Sequence, residues 1–276
     1  MFRGLLELTR PGNAVAAGLL TFIGAFVAGI PSSTPAYVGV TAAVLATVFA
    51  TGAGNAINDY FDREIDRINQ PGRPIPRGAV TPRQALWFSV ALFVGAVALT
   101  AVLPPLAIAI AVVNLLALVA YTKVFKGLPG MGNLVVSYLG GSTFLFGSAA
   151  VLGRLSAAVV VLFALAALST FAREVVKDVE DIEGDREEGL NTLPIAAGER
   201  VALVVALVAL VVAVGASPLP YLRGTFSVAY LVAVLPADAV MLFAGYRSWR
   251  DPTAGQSLLK YGMFLAAAAF VVGRLA

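Results

Sequence analysis

Nine apolar runs, each near the length of a bilayer crossing, constrain this chain more than any other feature of it. They cover roughly Asn13–Ile30, Ala36–Ala56, Pro82–Val102, Pro105–Tyr121, Met131–Leu152, Ser156–Val176, Arg200–Ser217, Thr225–Tyr246 and Leu258–Leu275. A spanning helix needs about 20 such residues. In lipid the backbone must satisfy its own hydrogen bonds, so runs of this length read as helices. Only 13% of residues are charged, against about 25% in soluble domains. The expectation is an all-α integral membrane protein, a single domain over residues 1–276, with nine transmembrane helices. Arg3 and Arg10 precede the first run as in a secretory signal, but the run is long for one and Glu7 is unusual there.

The basic residues set the expected orientation. With the N-terminus inside, 16 of the 19 Lys and Arg fall on the inner side, leaving Arg154, Arg223 and Arg274 outside. The two sizeable polar loops, about residues 63–81 and 177–199, then face the cytoplasm of a multi-pass cell-membrane protein. Outer loops are short and nearly uncharged, so chemistry belongs on the inner face.

Both polar loops open with aspartates at i, i+3 and i+7: Asp59, Asp62 and Asp66, then Asp178, Asp181 and Asp185. On a continuous helix that spacing shares one face. Three like charges repel, and a helix C-terminus disfavours them further. A divalent cation reverses both penalties, and carboxylate oxygens beside substrate phosphates are the ligands Mg²⁺ prefers. The expected metal set is these six with Asn58; Asp62, Asp66, Asp181 and Asp185 are the expected catalytic carboxylates. Glu64, Glu187 and Glu188 are expected to be solvated.

The segments lie 119 residues apart, and Pro74-Ile75 with Gly78 recurs as Pro194-Ile195 with Gly198. Two parallel four-helix halves, about 1–125 and 126–246, followed by a ninth helix at 255–275, account for this. With no histidine and no cysteine, imidazole and thiolate chemistry are excluded. Basic residues crowd the acids: Arg63, Arg67, Arg73 and Arg77 in the first loop, Lys123 and Lys126 after the fourth run, and Arg173 and Lys177 before the second cluster. Arginine forks suit phosphate oxygens, so these eight are candidates for a diphosphate, and their surplus suggests a second phosphate. Asn55 either ligates the metal or orients a carboxylate, or else packs a helix through a bond to backbone. Polar residues within spans are few, among them Asn13, Asn114 and Asp238. Asp238 is either functional, as intramembrane ionisable groups tend to be, or a buried structural partner of an Arg or Asn, or protonated.

At Asn58-Asp59-x-x-Asp62-x-x-x-Asp66 with Asp178-x-x-Asp181-x-x-x-Asp185, the sequence resembles the UbiA superfamily of intramembrane prenyltransferases, over nearly the whole chain. The resemblance implies a helix bundle around a central cavity open to lipid. It also implies Mg²⁺-dependent transfer of a prenyl group from a prenyl diphosphate to an acceptor, with Asn13, Asn55, Tyr121 and Asp238 as acceptor or cavity residues. Thr9-Arg10-Pro11-Gly12-Asn13, the run Asp62 to Asn69, Arg73-Pro74-Ile75-Pro76-Arg77-Gly78 and the run Arg173 to Asp181 look most like the branch that geranylgeranylates a prenylated glycerol phosphate in archaeal ether-lipid synthesis. The implied partners are a prenyl diphosphate, a lipid-like prenylated glycerol phosphate and membrane lipid, with no nucleic acid and no protein partner. Members with aromatic acceptors tend to carry Tyr-x-x-x-Lys-Arg after the fourth span; Tyr121-Thr122-Lys123-Val124-Phe125-Lys126 departs from it, leaving the role of Lys123 against Lys126 open. An aromatic acceptor, or a multi-pass transporter, remains the alternative.

Overall fold

The computed structural model describes residues 2–276. A short helix α1 (Phe2–Leu8) precedes the first crossing, α2 (Pro11–Ala28). Then come α3 (Thr34–Phe61), a short α4 (Arg63–Asn69), α5 (Pro82–Thr100) and α6 (Pro105–Ala120), which runs into one π-helical turn at Tyr121–Phe125. The second half comprises α7 (Met131–Leu152), α8 (Ala157–Glu180), short α9 (Ile182–Glu187) and α10 (Leu193–Ala197), α11 (Glu199–Ala216), short α12 (Leu219–Leu222) and α13 (Val228–Arg247); α14 (Pro252–Leu275) closes the bundle. Among the described residues nine helices are long and apolar enough to cross a membrane, as the sequence led us to expect.

Helix starts follow local chemistry. Proline opens α2, α3, α5, α6 and α14, where its missing N–H costs nothing. Thr81 and Gln84 form a reciprocal capping box at α5. The last crossing begins at Pro252 rather than Leu258, because Asp251 accepts from the Ala254 N–H at 3.0 Å and caps a polar first turn that hydropathy passes over.

Lipid replaces water around the bundle, so large apolar side chains such as Trp87, Leu116, Val212 and Phe243 point outward. Close backbone approach holds the inside together. A Cβ on Gly147 would press into the Thr21 carbonyl of α2, and one on Gly24 into the Phe144 carbonyl of α7. Where α13 turns into α14, a Cβ on Gly255 would lie 2.9 Å from the Ser248 Cα. Between these two helix pairs Phe144 meets Phe270 edge-on, 6.1 Å between ring centres. A separate small core of Leu8, Ala56, Ile75, Val80 and Ala85 fastens α1 and the first polar loop to α3 and α5.

Candidate active site

The aspartates do not lie along one continuous helix, as their spacing predicted. α3 stops at Phe61 and α8 at Glu180, and the middle aspartate of each segment is a junction with matching backbone: φ −83°, ψ 5° at Asp62 and φ −95°, ψ 8° at Asp181. Hydrogen bonding carries across both junctions, with Asp66 N–H to Asp62 O and Asp185 N–H to Asp181 O at 2.9 Å. The break alters the electrostatics. Asp62 and Asp181 become the N-cap residues of α4 and α9, and Asp66 and Asp185 fall in the first turns, where a helix favours negative charge. Much of the dipole penalty expected at the C-terminus is thereby removed.

In the first segment, arginines meet the acids. Asp59 is buried and accepts from Arg10 at 2.7 Å, with Arg73 at 3.5 Å. Asp66, also buried, takes Arg73 on both oxygens at 2.7 and 2.6 Å. Arg10 is the one non-glycine residue with positive φ, 47°, among those described, a left-handed conformation that aims its side chain across to α3. The other loop arginines are turned elsewhere: Arg63 lies over the Tyr60 ring at 5.0 Å, Arg67 pairs with exposed Glu64 at 2.7 Å, and Arg77 bonds Glu7 and the Gly72 carbonyl. Hydrogen bonds from Arg77 and Arg3 hold the Glu7 carboxyl below its usual value. Asn58 is half-buried beside Asp59, while the Asn55 amide donates to the Thr9 carbonyl at 2.9 Å and so packs α3 against the α1–α2 turn.

The second segment is short of cations. Asn133 of α7 donates to Asp178 at 2.8 Å, and Lys177 pairs with Asp181 at 2.7 Å. Burial, then the charges of Asp181 and Glu188, push the Asp185 carboxyl above its usual value. Lys126, at the end of the π turn, reaches Asp62 at 3.6 Å and Glu188 at 3.7 Å, so it bridges the two segments. Glu188 is therefore engaged rather than simply solvated. Lys123 is exposed, and of the two lysines it is Lys126 that stands at the acids. Lys126, Tyr121, Asn133, Glu174 and Asp178 line a small cleft of about 30 Å³.

A larger cavity of about 310 Å³ lies on the neighbouring face of α8. Exposed Asn13 and Lys260 mark its open end; buried Phe144, Tyr230 and Phe270 close the other. Its wall is mostly apolar, with Thr143, Ser169, Thr170, Arg173 and a polar group around Asp238 set into it. Ser217 Oγ donates to Asp238 Oδ2 at 2.6 Å, and Tyr230 donates to the Ser217 carbonyl at 2.7 Å. That carbonyl is free because Pro218 and Pro220 interrupt the helix between α11 and α12. The partner of Asp238 is thus a serine, not an arginine or asparagine. Of the residues that matter here, Arg10, Asn133, Glu174 and Lys260 were not singled out as site residues in the sequence; Asn133, a polar side chain inside a span, carried the clearest signal.

Among the described residues no three carboxylates converge closely enough to cage a metal unaided. Mg²⁺ needs only one or two protein carboxylates, since substrate phosphates and water complete its shell.

A membrane-embedded helical bundle with paired acidic segments beside an apolar cavity defines a class, and the comparisons agree with it. Residues 17–268 match the model of the UbiA prenyltransferase family. A digeranylgeranylglyceryl phosphate synthase from Natronomonas pharaonis is 68% identical over 99% of this chain and 98% of its own, and one from Methanopyrus kandleri is 46% identical over 99% and 100%. A solved structure from work on digeranylgeranylglyceryl phosphate synthase in membranes is 36% identical, with TM-score 0.81 over 99% of this chain and 98% of that one. An Archaeoglobus fulgidus UbiA homologue bound to GPP and Mg²⁺ shares the fold at TM-score 0.79 and 18% identity, over 98% of each chain. The chain belongs to the UbiA prenyltransferase family. It is a multi-pass membrane enzyme, a prenyltransferase.

Proposed function

We propose that this enzyme transfers a geranylgeranyl group from geranylgeranyl diphosphate to the free hydroxyl of geranylgeranylglyceryl phosphate, with Mg²⁺, in the cell membrane with its acidic end cytoplasmic. One observation carries the reading: α8 turns Arg173 into the apolar cavity and Glu174 and Asp178 into the acidic cleft, so chain-binding and charge-handling spaces share a wall. The full-length likeness to synthases of that name supports the choice of substrates. The matched junctions at Asp62 and Asp181 support a single domain of two parallel halves plus a ninth helix.

Asn58, Asp59, Asp62 and Asp66 on one side and Asp178, Asp181 and Asp185 on the other would hold the metal, with Asp62, Asp66, Asp181 and Asp185 meeting the reacting centre. Bound Mg²⁺ supplies positive charge to the diphosphate as it leaves. Lys126 and Lys177 stand among the same acids and add charge to the leaving oxygens, while Arg73, released from Asp66, turns its fork to phosphate. The allylic C–O bond breaks, its electron pair departs with the diphosphate, and the acceptor hydroxyl forms the new C–O bond. The hydroxyl proton passes to a carboxylate or phosphate oxygen. The apolar cavity keeps water from the allylic cation.

Purified protein given radiolabelled geranylgeranyl diphosphate should label geranylgeranylglyceryl phosphate only when Mg²⁺ is present. Label moving instead to 4-hydroxybenzoate would keep the reaction class and overturn the acceptor. Transfer to neither would overturn the proposed substrates.

A further inference from the structure

Arg173 and Lys260 stand deeper than positive-inside loop charges need to. Arg173 lies seven residues before the end of α8 and Lys260 eight after the start of α14, about 10–12 Å of helix in from the acidic end. Charge at such depth is costly and is usually matched to a partner or ligand. Arg173 is held on two sides: Nη1 donates to Glu174 at 2.5 Å and Nη2 to Gln256 of α14 at 3.0 Å. Its Nε–H is buried and has no partner, which leaves a fixed guanidinium with one unused donor. Lys260, one turn beyond Gln256, makes no ion pair or hydrogen bond among the described residues. Both line the large cavity, and so does Asn13. The one acid in that lining, Asp238, accepts from Ser217 and pairs with neither cation.

We propose that Arg173, Lys260 and Asn13 form a phosphomonoester subsite, separate from the diphosphate cleft, that holds the phosphate of the acceptor. This rests on the phosphorylated acceptor proposed above. A phosphomonoester carries nearly two negative charges and three acceptor oxygens, enough to answer an orphaned guanidinium N–H and an unpaired ammonium together. Consecutive positions on α8 point about 100° apart, so Arg173 and Glu174 put the two phosphate sites on neighbouring faces of one helix. The acceptor's glycerol is then anchored beside the acidic cleft.

The test uses the full-length enzyme in lipid nanodiscs with Mg²⁺, and compares geranylgeranylglyceryl phosphate with its dephosphorylated alcohol as acceptors. Lys260→Met should raise KM for the phosphorylated acceptor about tenfold or more, the loss of one charge-assisted contact. KM for the alcohol and for the diphosphate donor should stay within about twofold on the same grounds, and Lys260→Arg should restore most of the loss. Wild-type enzyme should be inhibited by glycerol phosphate competitively against the acceptor but not against the donor, a readout that needs no variant. Equal effects on phosphate and alcohol, an effect confined to the donor, or competition against the donor overturns the subsite alone. A wild-type enzyme that transfers to no phosphorylated acceptor overturns the proposed acceptor along with the subsite.

Discussion

Arg73 is the cation on which the first acidic segment depends, and removing it gives a sharp prediction. In Arg73→Met, Asp66 loses its ion-pair partner, while Asp59 keeps Arg10 at 2.7 Å. The Asp66 side chain is only 6% exposed, so its carboxylate is left buried and unpaired. Breaking a buried pair typically costs 3–5 kcal/mol. The Arg73 side chain is 31% exposed, which lets water screen the pair, so the lower end applies, about 3 kcal/mol. At roughly 2–4 °C per kcal/mol, the melting temperature of the detergent-solubilised protein should fall by about 6–12 °C. The pairing itself is checked by a double-mutant cycle. Adding Asp66→Asn removes the stranded charge, so the double variant should recover more than half the loss. A melting temperature within about 1 °C of wild type for Arg73→Met, or strict additivity in the double variant, would refute the reasoning.

Asp62→Ala and Asp181→Ala should each abolish prenyl transfer without unfolding the protein, since both side chains are more than a third exposed; near-normal turnover in either would end the two-sided clamp. Gly147→Ala should lower thermal stability by about 1–3 kcal/mol through the clash with α2, whereas Gly215→Ala, with open space around it, should be neutral or gain up to about 1 kcal/mol. Glu7 titrates below its ordinary value of 4.5 in the folded protein, so the unfolded chain binds its proton first as pH falls. Stability from Glu7 is then complete above about pH 4.5 and lost below it; Glu7→Gln should flatten that acid limb, and added salt should weaken it, since the pair is exposed.

The crossings were legible because lipid enforces a single rule along each run, and both acidic segments showed because their charges fall where apolar sequence stops. What the sequence concealed was tertiary. Arg10 meets Asp59 across 49 positions of chain, and its left-handed backbone has no mark in a run that reads Thr9-Arg10-Pro11. Spacing of i, i+3 and i+7 reports a shared face only while the helix continues; the junctions at Asp62 and Asp181 fall inside that pattern and leave it unchanged. Lys260 looked like one more charge at the inner end of a span, because hydropathy started the last helix at Leu258, two residues before it, and passed over the polar turns from Pro252 that set it deeper. Glu174 sits inside an apolar run, and only the packing of α8 shows that it and Arg173 face different spaces.

The glycine contacts have a mechanical consequence. Where backbones touch, as α2 and α7 do at Gly24 and Gly147, there are no side-chain rotamers between them to yield, and each pair moves as one plate. The turn at Gly255 couples α13 to α14 in the same way. The cavity lies between these plates and α8, and the plates meet through side chains, Phe144 and Phe270 among them, rather than backbone. Widening the cavity would then call for a tilt of one plate on the other about the Phe144–Phe270 contact rather than a separation of the helices within a plate.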